Sequence, residues 1–371
     1  MKYLKKFNNH SNYEEFIVSG EYIEPHVSSC LNNNEIHYNL PPLLTFVAEE
    51  ANSTISFNRI GTATTLENAS LQYSIDNGLS FNEYELGSTI TLEKVGDSVK
   101  FKGTNEVMSN GNSNYHKFVM TGKISAKGDI TSLFNEYGGD MEMPLGGCVH
   151  MFSYCTSLTT APNLPSTKLG DECYAFMFKG CTLLNNPPKL PSKKLGQYCY
   201  YSMFDGCTSI TETPELPATE LYQRCYEQMF QYCTSLVTVP DLPSLSLPYG
   251  CYTRMFKGCT SLTTVQSILP ATTLGGYCYQ SMFEGCTGIT IAPVLPAITL
   301  KDHCYYYMFN GCTSLNYIKA LFTTTPSSTI TGNWVNGVAQ TGTFVKNAAA
   351  TWNVNGANGI PNGWTVQTDS P

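Results

Sequence analysis

One cysteine recurs at almost constant spacing through the middle of the chain. It falls at Cys155, Cys181, Cys207, Cys233, Cys259, Cys286 and Cys312, in steps of 26, 26, 26, 26, 27 and 26 residues. A phrase recurs with it, and the fullest copy, Cys278 to Leu300, reads CYQSMFEGCTGITIAPVLPAITL. A period in this range constrains the fold more than any other feature of the sequence. A unit of that size cannot bury its own apolar face, so the copies must stack on one another as a solenoid.

The repeat aligns side chains into columns. Phe152, Phe178, Phe204, Phe230, Phe256, Phe283 and Phe309 form one, each preceded by a methionine, and Leu158, Leu184, Ile210, Leu236, Leu262, Ile289 and Leu315 form another. Phe178, Phe204, Phe230, Phe256 and Phe283, with Cys181, Cys207, Cys233, Cys259 and Cys286, are expected to be core columns. Each such side chain packs on the copies before and after it, so truncating one damages two interfaces. The CYxxMF part suits about one helical turn. Gly-Cys-Thr-Ser-Leu leads into a short parallel strand. Recurring pairs such as Leu164-Pro165 and Leu216-Pro217 end it, because proline withdraws a ladder donor. Tyr174, Tyr200, Tyr226, Tyr252, Tyr279 and Tyr305 make a further column, apolar in body and polar at the tip. They either pack at the edge of the helical turn or present a ladder of rings to a sugar or a protein. In the second reading these six are the candidate ligand surface.

Of the 15 cysteines, fourteen sit in the repeats and Cys30 stands apart. Within a repeat the two are eight residues apart, or seven at Cys148 and Cys155, unlike the two-to-four-residue gaps of zinc sites. Stacking would set equivalent cysteines about 4.8 Å apart, where a bridge is geometrically conceivable. The odd total and the columnar placement favour inert buried thiols, which behave as small hydrophobes, over disulfides or a metal.

The flanks differ in character. Residues 1–40 hold little core: Ser11 and Glu14 make a capping-box pattern before YEEFIV and Gly20 a stop, which predicts a short helix over 12–18, and an extended polar run follows. Its aromatic and aliphatic residues, Tyr3, Phe7, Tyr13, Phe16, Ile17, Tyr22, Ile23 and Tyr38, exceed what a linker needs and are candidate anchors to a partner. His26 and His37 lie too far apart to argue for a metal. Residues 41–137 alternate in short runs, Leu71, Tyr73 and Ile75, then Ile90 and Leu92, Val99 and Phe101, Phe118 and Met120. Turn signals at Asp76-Asn77-Gly78, Gly96-Asp97 and Asn110-Gly111-Asn112 separate them. This predicts an antiparallel β-sandwich. Asp76-Asn77-Gly78 lacks the acidic spacing of a calcium loop and reads as a hairpin turn. Residues 138–318 are the solenoid. The repeat fails from Asn316, and residues 319–371, Gly- and Asn-rich with Trp352 and Trp364 after Trp334, are the expected cap over its open end. The fold class is thus mainly β: a sandwich, then a solenoid of about seven repeats with short parallel strands and one-turn helices.

Only 13% of residues are charged and the net charge is −8, which offers no basic field to nucleic acid or anionic lipid. No run of about eighteen apolar residues could span a membrane. MKYLKKFNNHSNYEEF has lysines without an apolar core behind them and is not a secretory signal. If Met1 is the natural start, the protein is made and left in a cytosol. His150 and His303 are the two histidines of the repeats and lie about six repeats apart. That separation leaves no convergent polar set for catalysis and no cofactor site.

GCTSLTT, with MF before it and LP after it, resembles the BspA-type leucine-rich repeat, here in a Met- and Cys-rich form with MF where that family has AF. LQYSIDNG and GDITSLF upstream, and GTFVKNAAATW and GIPNGWTV downstream, are similar to segments that accompany such repeats, so the resemblance covers about residues 43–371. It implies a leucine-rich solenoid used for adhesion, with no catalytic residue. KFNNHSNYEEFIVSG and IEPHVSSCLNNNEIHYN resemble leader segments of structural proteins from crAss-like gut bacteriophages and related prophages. That resemblance implies a virion protein (head fibre, capsid decoration or tail-associated) made in the host cytoplasm. Its partners would be capsid, portal or tail proteins, sister subunits, and a host surface protein or glycan. The alternative is a BspA-like adhesin on a bacterial cell surface. It expects a signal peptide or a lipid-attachment cysteine, and Cys30, in VSSCLNN, has no apolar stretch before it.

Overall fold

The computed structural model describes residues 2–7 and 13–18 as backbone, and residues 42–62, 66–111 and 113–369 in full. The chain divides into two units, Met1–Pro41 and Pro42–Pro371. In the first, β1 (Lys2–Phe7) pairs antiparallel with β2 (Tyr13–Val18), setting Tyr3 against Ile17, Leu4 against Phe16 and Phe7 against Tyr13. The helix expected over 12–18 is therefore a strand. Tyr13, Phe16, Ile17 and Val18 are aromatic or β-branched and favour the extended chain, and that preference outweighs the capping pattern of Ser11 and Glu14. Of the candidate anchors, Tyr22, Ile23 and Tyr38 lie outside the described residues, as do His26, Cys30 and His37.

The second unit opens with antiparallel sheets. Its strands are β3 (Leu44–Ala48), β4 (Ser53–Ile60), β5 (Leu71–Ser74), β6 (Asn82–Glu83), β7 (Thr89–Leu92), β8 (Ser98–Gly103), β9 (Tyr115–Thr121) and β10 (Ile124–Lys127). β7, β4 and β9 form one sheet; β10, β3, β8, β5 and β6 form the other. Alternate residues point inward, as a half-buried sheet requires: Ile55 and Phe57 on β4, Val99 and Phe101 on β8, and Phe118 on β9 are fully buried. Ile75 was expected to share the inner face with Leu71, but it is 65% exposed, because β5 ends at Ser74. The turn beyond it holds Asn77 and Gly78 at φ 64° and 94°, the left-handed region that Asn and Gly enter most readily, within the longer connection that brings Asn82 of β6 back against Tyr73. Asp76 closes that turn by accepting hydrogen bonds from Ser74 Oγ at 2.6 Å, Ser80 Oγ at 2.6 Å and Ser80 N at 3.0 Å. These bonds hold its carboxyl below the usual carboxylate range, those from the serine side chains foremost.

The solenoid grows directly out of this sheet. After β11 (Glu142–Met143) comes β12 (Leu158–Thr160), which joins β10 in parallel, and Phe118 stacks on Phe152 at 5.5 Å and 10°. From there about nine coils follow at a spacing of roughly 26 residues. Regular strands are sparse: β13 (Lys168–Leu169) pairs with β11, and β14 (Ser246–Leu247) with β15 (Thr273–Leu274), all parallel. The wall that binds coil to coil is made of something else.

That wall is the CYxxMFxGC segment, and it is a chain of β-turns rather than a helical turn. In one coil the N–H groups of Glu172, Tyr174, Phe176, Phe178 and Gly180 donate to the carbonyls of Gln197, Cys199, Tyr201, Met203 and Asp205 in the next, at 2.8–3.1 Å. The intervening N–H groups of Ala175, Met177, Lys179 and Cys181 close turns onto carbonyls three residues back. Every backbone group between Tyr174 and Gly180 is thereby paired without helix or strand, as burial demands. Side chains run two in, two out: Cys173 and Tyr174 are buried inward, the half-buried Phe176 follows the small, covered Ala175 on the other side, Met177 and Phe178 are buried inward, and Lys179 and Gly180 are half-buried on the outer side. The second residue of each outer pair is left-handed, with φ 57° at Phe176 and 71° at Gly180. A non-glycine residue there costs about 1–2 kcal/mol. Fully burying a Phe or Met contributes about 1.5–3 kcal/mol, so the inward columns offset the strain of the outer ones.

The C-terminal segment carries the coil on after the sequence phrase has failed. Phe309 N donates to Trp334 O at 2.8 Å and Gly311 N to Asn336 O at 2.8 Å, continuing the turn ladder. β16 (Tyr317–Ala320), β17 (Thr343–Asn347) and β18 (Thr365–Asp369) form a parallel sheet in that order. Each tryptophan indole donates to a carbonyl: Trp334 to Gly359 at 2.9 Å, Trp352 to Phe322 at 3.2 Å and Trp364 to Ala339 at 2.7 Å.

Candidate ligand surface

The six tyrosines Tyr174, Tyr200, Tyr226, Tyr252, Tyr279 and Tyr305 are each 1% exposed. They stack face to face along the inside of the wall, 5.7–6.0 Å apart. The reading of this column as a ligand ladder is corrected: the rings face the neighbouring copies, not the solvent. In the first coil the same place is taken by Cys148, whose N–H donates to Cys173 O as that of Tyr174 does to Cys199 O. Beside them Phe178, Phe204, Phe230, Phe256 and Phe283 are fully buried, as are Cys181, Cys207, Cys233, Cys259 and Cys286. All fourteen repeat cysteines are free.

The outer side of the same wall carries a different set of rings, at positions that vary from copy to copy. Tyr115 stacks on His150 at 4.4 Å, His150 on Phe176 at 4.5 Å, and Phe176 meets Tyr201 edge-on at 4.9 Å. Tyr201 meets Tyr198 at 5.7 Å, and the Arg224 guanidinium bridges onward, lying 5.9 Å from the Tyr198 ring and 5.2 Å from that of Tyr249. Tyr249 contacts Tyr277 at 5.1 Å, Tyr277 stacks on His303 at 4.4 Å, and His303 touches Tyr306, which touches Tyr307. The result is an unbroken belt from β9 to the last full copy of the phrase, every member half-buried except Tyr249, which is exposed. Rings that stack on each other spend their faces on each other. The belt offers edges and phenol hydroxyls to a ligand, while the Arg224 cation within it is paired with the Glu227 carboxylate at 2.8 Å.

Beside the belt runs a row of polar side chains that neutralise one another. Lys179 pairs with Asp205 at 2.8 Å and Lys257 with Glu284 at 2.9 Å. Asn336 donates to Asn310 at 3.0 Å. His150 is pushed down to about 4 by burial first, then by the cations of Lys117 and Lys179, and its Nδ1 has no partner among the described residues. It is a neutral ring of the belt, not an acid or base. Burial likewise pushes the Cys155 and Cys312 thiols up to about 12, leaving no thiolate nucleophile there at neutral pH. No group of three or more His, Cys, Asp or Glu among the described residues could hold a metal ion.

The belt was missed in the sequence because no single repeat position carries one of its rings in every copy. Its signal was present all the same, in the aromatic residues just before the recurring Cys-Tyr pair, as at Tyr198, Tyr277 and His303, and just after it, as at Tyr201 and Tyr306. No family model matches this chain, and a comparison with curated proteins gave no match. Among solved structures, a leucine-rich repeat protein from Bacteroides ovatus ATCC 8483 is similar over 53% of this chain and half the length of that one (50%), at 20% sequence identity and a TM-score of 0.32.

Proposed function

We propose that this chain is a non-enzymatic adhesion scaffold whose outer wall binds a host surface, and that residues 1–40 hold it on a bacteriophage particle. The observation that carries the adhesive part is the aromatic belt. Tyr and Arg are the side chains that recur at recognition surfaces, and here they form one continuous line on the solvent side of a rigid stack. The turn ladder fixes every belt residue to its neighbours, so little freedom is lost on binding. Support for the particle comes from the resemblance of residues 1–40 to phage structural leaders. On this reading the partners are capsid, portal or tail proteins at one end and a host protein or glycan at the other, and the place of action is the virion.

Mass spectrometry of purified virions against bacterial outer-membrane fractions tests the assignment. Recovery in virions at a fixed stoichiometry supports it. Recovery in the outer membrane alone overturns it in favour of a BspA-like cell-surface adhesin. The adhesive part is tested separately by binding of the purified protein to host cells, with Tyr277→Ala expected to weaken it.

A further inference from the structure

The outer position that closes each turn chain is glycine in most coils, at Gly180, Gly206, Gly258, Gly285, Gly311 and Gly337, all at positive φ. Two coils break the rule. Tyr154 and Tyr232 occupy it at φ 58° and 57°, three coils apart. Neither ring helps the core: Tyr154 is 62% exposed and Tyr232 47%. Each leans over the glycine of the next coil, so that a Cβ on Gly180 would lie 2.6 Å from Tyr154 Cδ1, and one on Gly258 would strike Tyr232. Between the two rings Gly206 lies open, with only the Gly180 backbone within 4 Å of the place its Cβ would take. Unlike the belt rings, these two are in contact with no other aromatic ring among the described residues. A bulky, largely exposed residue in a backbone state that favours glycine is strain with little structural return.

From this geometry we propose that Tyr154 and Tyr232 are two stacking platforms of one linear subsite for a neutral polysaccharide, with the glycine row as its floor. The assignment rests on the adhesive reading of the outer wall and names the ligand class. Coils about 4.8 Å apart set the platforms on the order of 14 Å from each other, a span that takes several sugar rings of one chain. An exposed phenol ring accepts the apolar face of a pyranose and offers a hydroxyl at its rim. The flanking polar row decides the charge of the ligand. Lys179 is paired with Asp205, Lys257 with Glu284, and Gln231 donates to Asp205 at 3.5 Å. No cation of that row is left for a carboxylate or sulfate.

The full chain is titrated calorimetrically with hexasaccharides of neutral sugars (xylose, mannose, β- and α-linked glucose) and with hexagalacturonate as the acidic probe. At least one neutral hexamer should bind and the acidic one should not. Tyr154→Ala and Tyr232→Ala should each weaken binding about tenfold while the melting midpoint stays within a degree or so of wild type. Gly206→Ala, which adds a methyl to the floor, should weaken it as well. Equal binding of the acidic hexamer, no neutral hexamer bound, or affinity indifferent to both tyrosines overturns the proposal. Adhesion to host cells is measured on the same proteins. If wild type and the double variant adhere equally, the wall is adhesive but the platforms are misassigned; if wild type does not adhere at all, the parent reading fails instead.

Discussion

Cys207 donates its thiol proton to the carbonyl oxygen of Phe178, one coil earlier, at 3.0 Å. The same bond recurs at Cys155 to Phe118, Cys181 to Phe152, Cys233 to Phe204, Cys259 to Phe230, Cys286 to Phe256 and Cys312 to Phe283, all at 3.0–3.2 Å. The second cysteine of each copy is therefore more than a small apolar filler. The Phe178 carbonyl also accepts the Cys181 N–H, and the thiol takes its remaining lone pair where no water can reach.

Replacing Cys207 by Ala removes that weak bond and opens a small void between two coils. The expected loss is about 1–2 kcal/mol, the sum of one buried hydrogen bond and one lost apolar contact. Chemical denaturation of wild type and variant measures it. A change within about half a kcal/mol, the range of ordinary surface substitutions, would mean that the bond contributes nothing.

Stability should fall steeply at alkaline pH. Burial raises Cys155, Cys259 and Cys312 to about 12, and an unfolded thiol ionises near 8.5. Below that value both states hold the proton and the stabilisation is complete. Above it the unfolded chain releases protons that the folded chain keeps, so stability declines with rising pH until the folded thiols ionise as well. The melting temperature should be flat from pH 6 to 8 and drop progressively between about pH 9 and 12. Cys155→Ala should flatten the drop. A thiol reagent at pH 8 should label the repeat cysteines only after denaturant is added.

Phe230 lies between Phe204 at 5.4 Å and Phe256 at 5.7 Å, with the rings nearly parallel. Phe230→Ala empties both contacts and should cost about 3–5 kcal/mol. Hydrogen exchange locates the damage. Protection should fall in the coils on either side, at Phe204 and Phe256, well before it falls at Phe101 in β8. A uniform loss across the unit would show that coils and sheets unfold as one.

Tyr252 is buried and its hydroxyl has no hydrogen-bond partner among the described residues. Removing an unsatisfied buried hydroxyl forfeits no bond, so Tyr252→Phe should be neutral or stabilising by up to about 1 kcal/mol. Calorimetry decides it. Clear destabilisation would mean that the hydroxyl is satisfied by a buried water. Ligand binding should be untouched either way, because the column faces inward.

The period and the core columns could be read from the sequence because identical contacts repeat at every interface. The conformation that links them could not. A two-in, two-out pattern has a period of four, close enough to 3.6 that Cys-Tyr-x-x-Met-Phe passes for a helical turn. What separates the two is a left-handed residue in every fourth place, and only where it is glycine, as at Gly146, Gly180, Gly206, Gly250, Gly258, Gly285, Gly311 and Gly337, does the residue type announce it. Phe176, Tyr198 and Gln228 adopt it unmarked. The last coils were hidden for a related reason: Trp334 and Phe344 fill the interior with different side chains in the same coil geometry. The outer belt suffered most, since its residues vary from copy to copy, and variation is what a repeat search discards.

On the proposed reading, the N-terminal unit decides where the scaffold works. Its described strands hold Tyr3, Phe7, Tyr13, Phe16 and Ile17 within one antiparallel pair, and Met1–Pro41 is a unit apart from Pro42–Pro371. An isolated two-stranded hairpin is marginal in water, and ordering each residue costs about 1–2 kcal/mol. On the proposed reading, a hairpin with that many aromatic and aliphatic residues would gain its stability by burying them in a partner. Deleting residues 1–41 should therefore leave the melting temperature of Pro42–Pro371, and its adhesion to host cells, unchanged. Incorporation into particles should be abolished, and the hairpin fused to an unrelated carrier should restore it. Limited proteolysis of the purified full chain should cut within residues 1–41 first. If the truncated protein is still recovered in virions at wild-type stoichiometry, the anchor lies in the coils or the sheets, and the phage assignment loses the part of the chain that supports it.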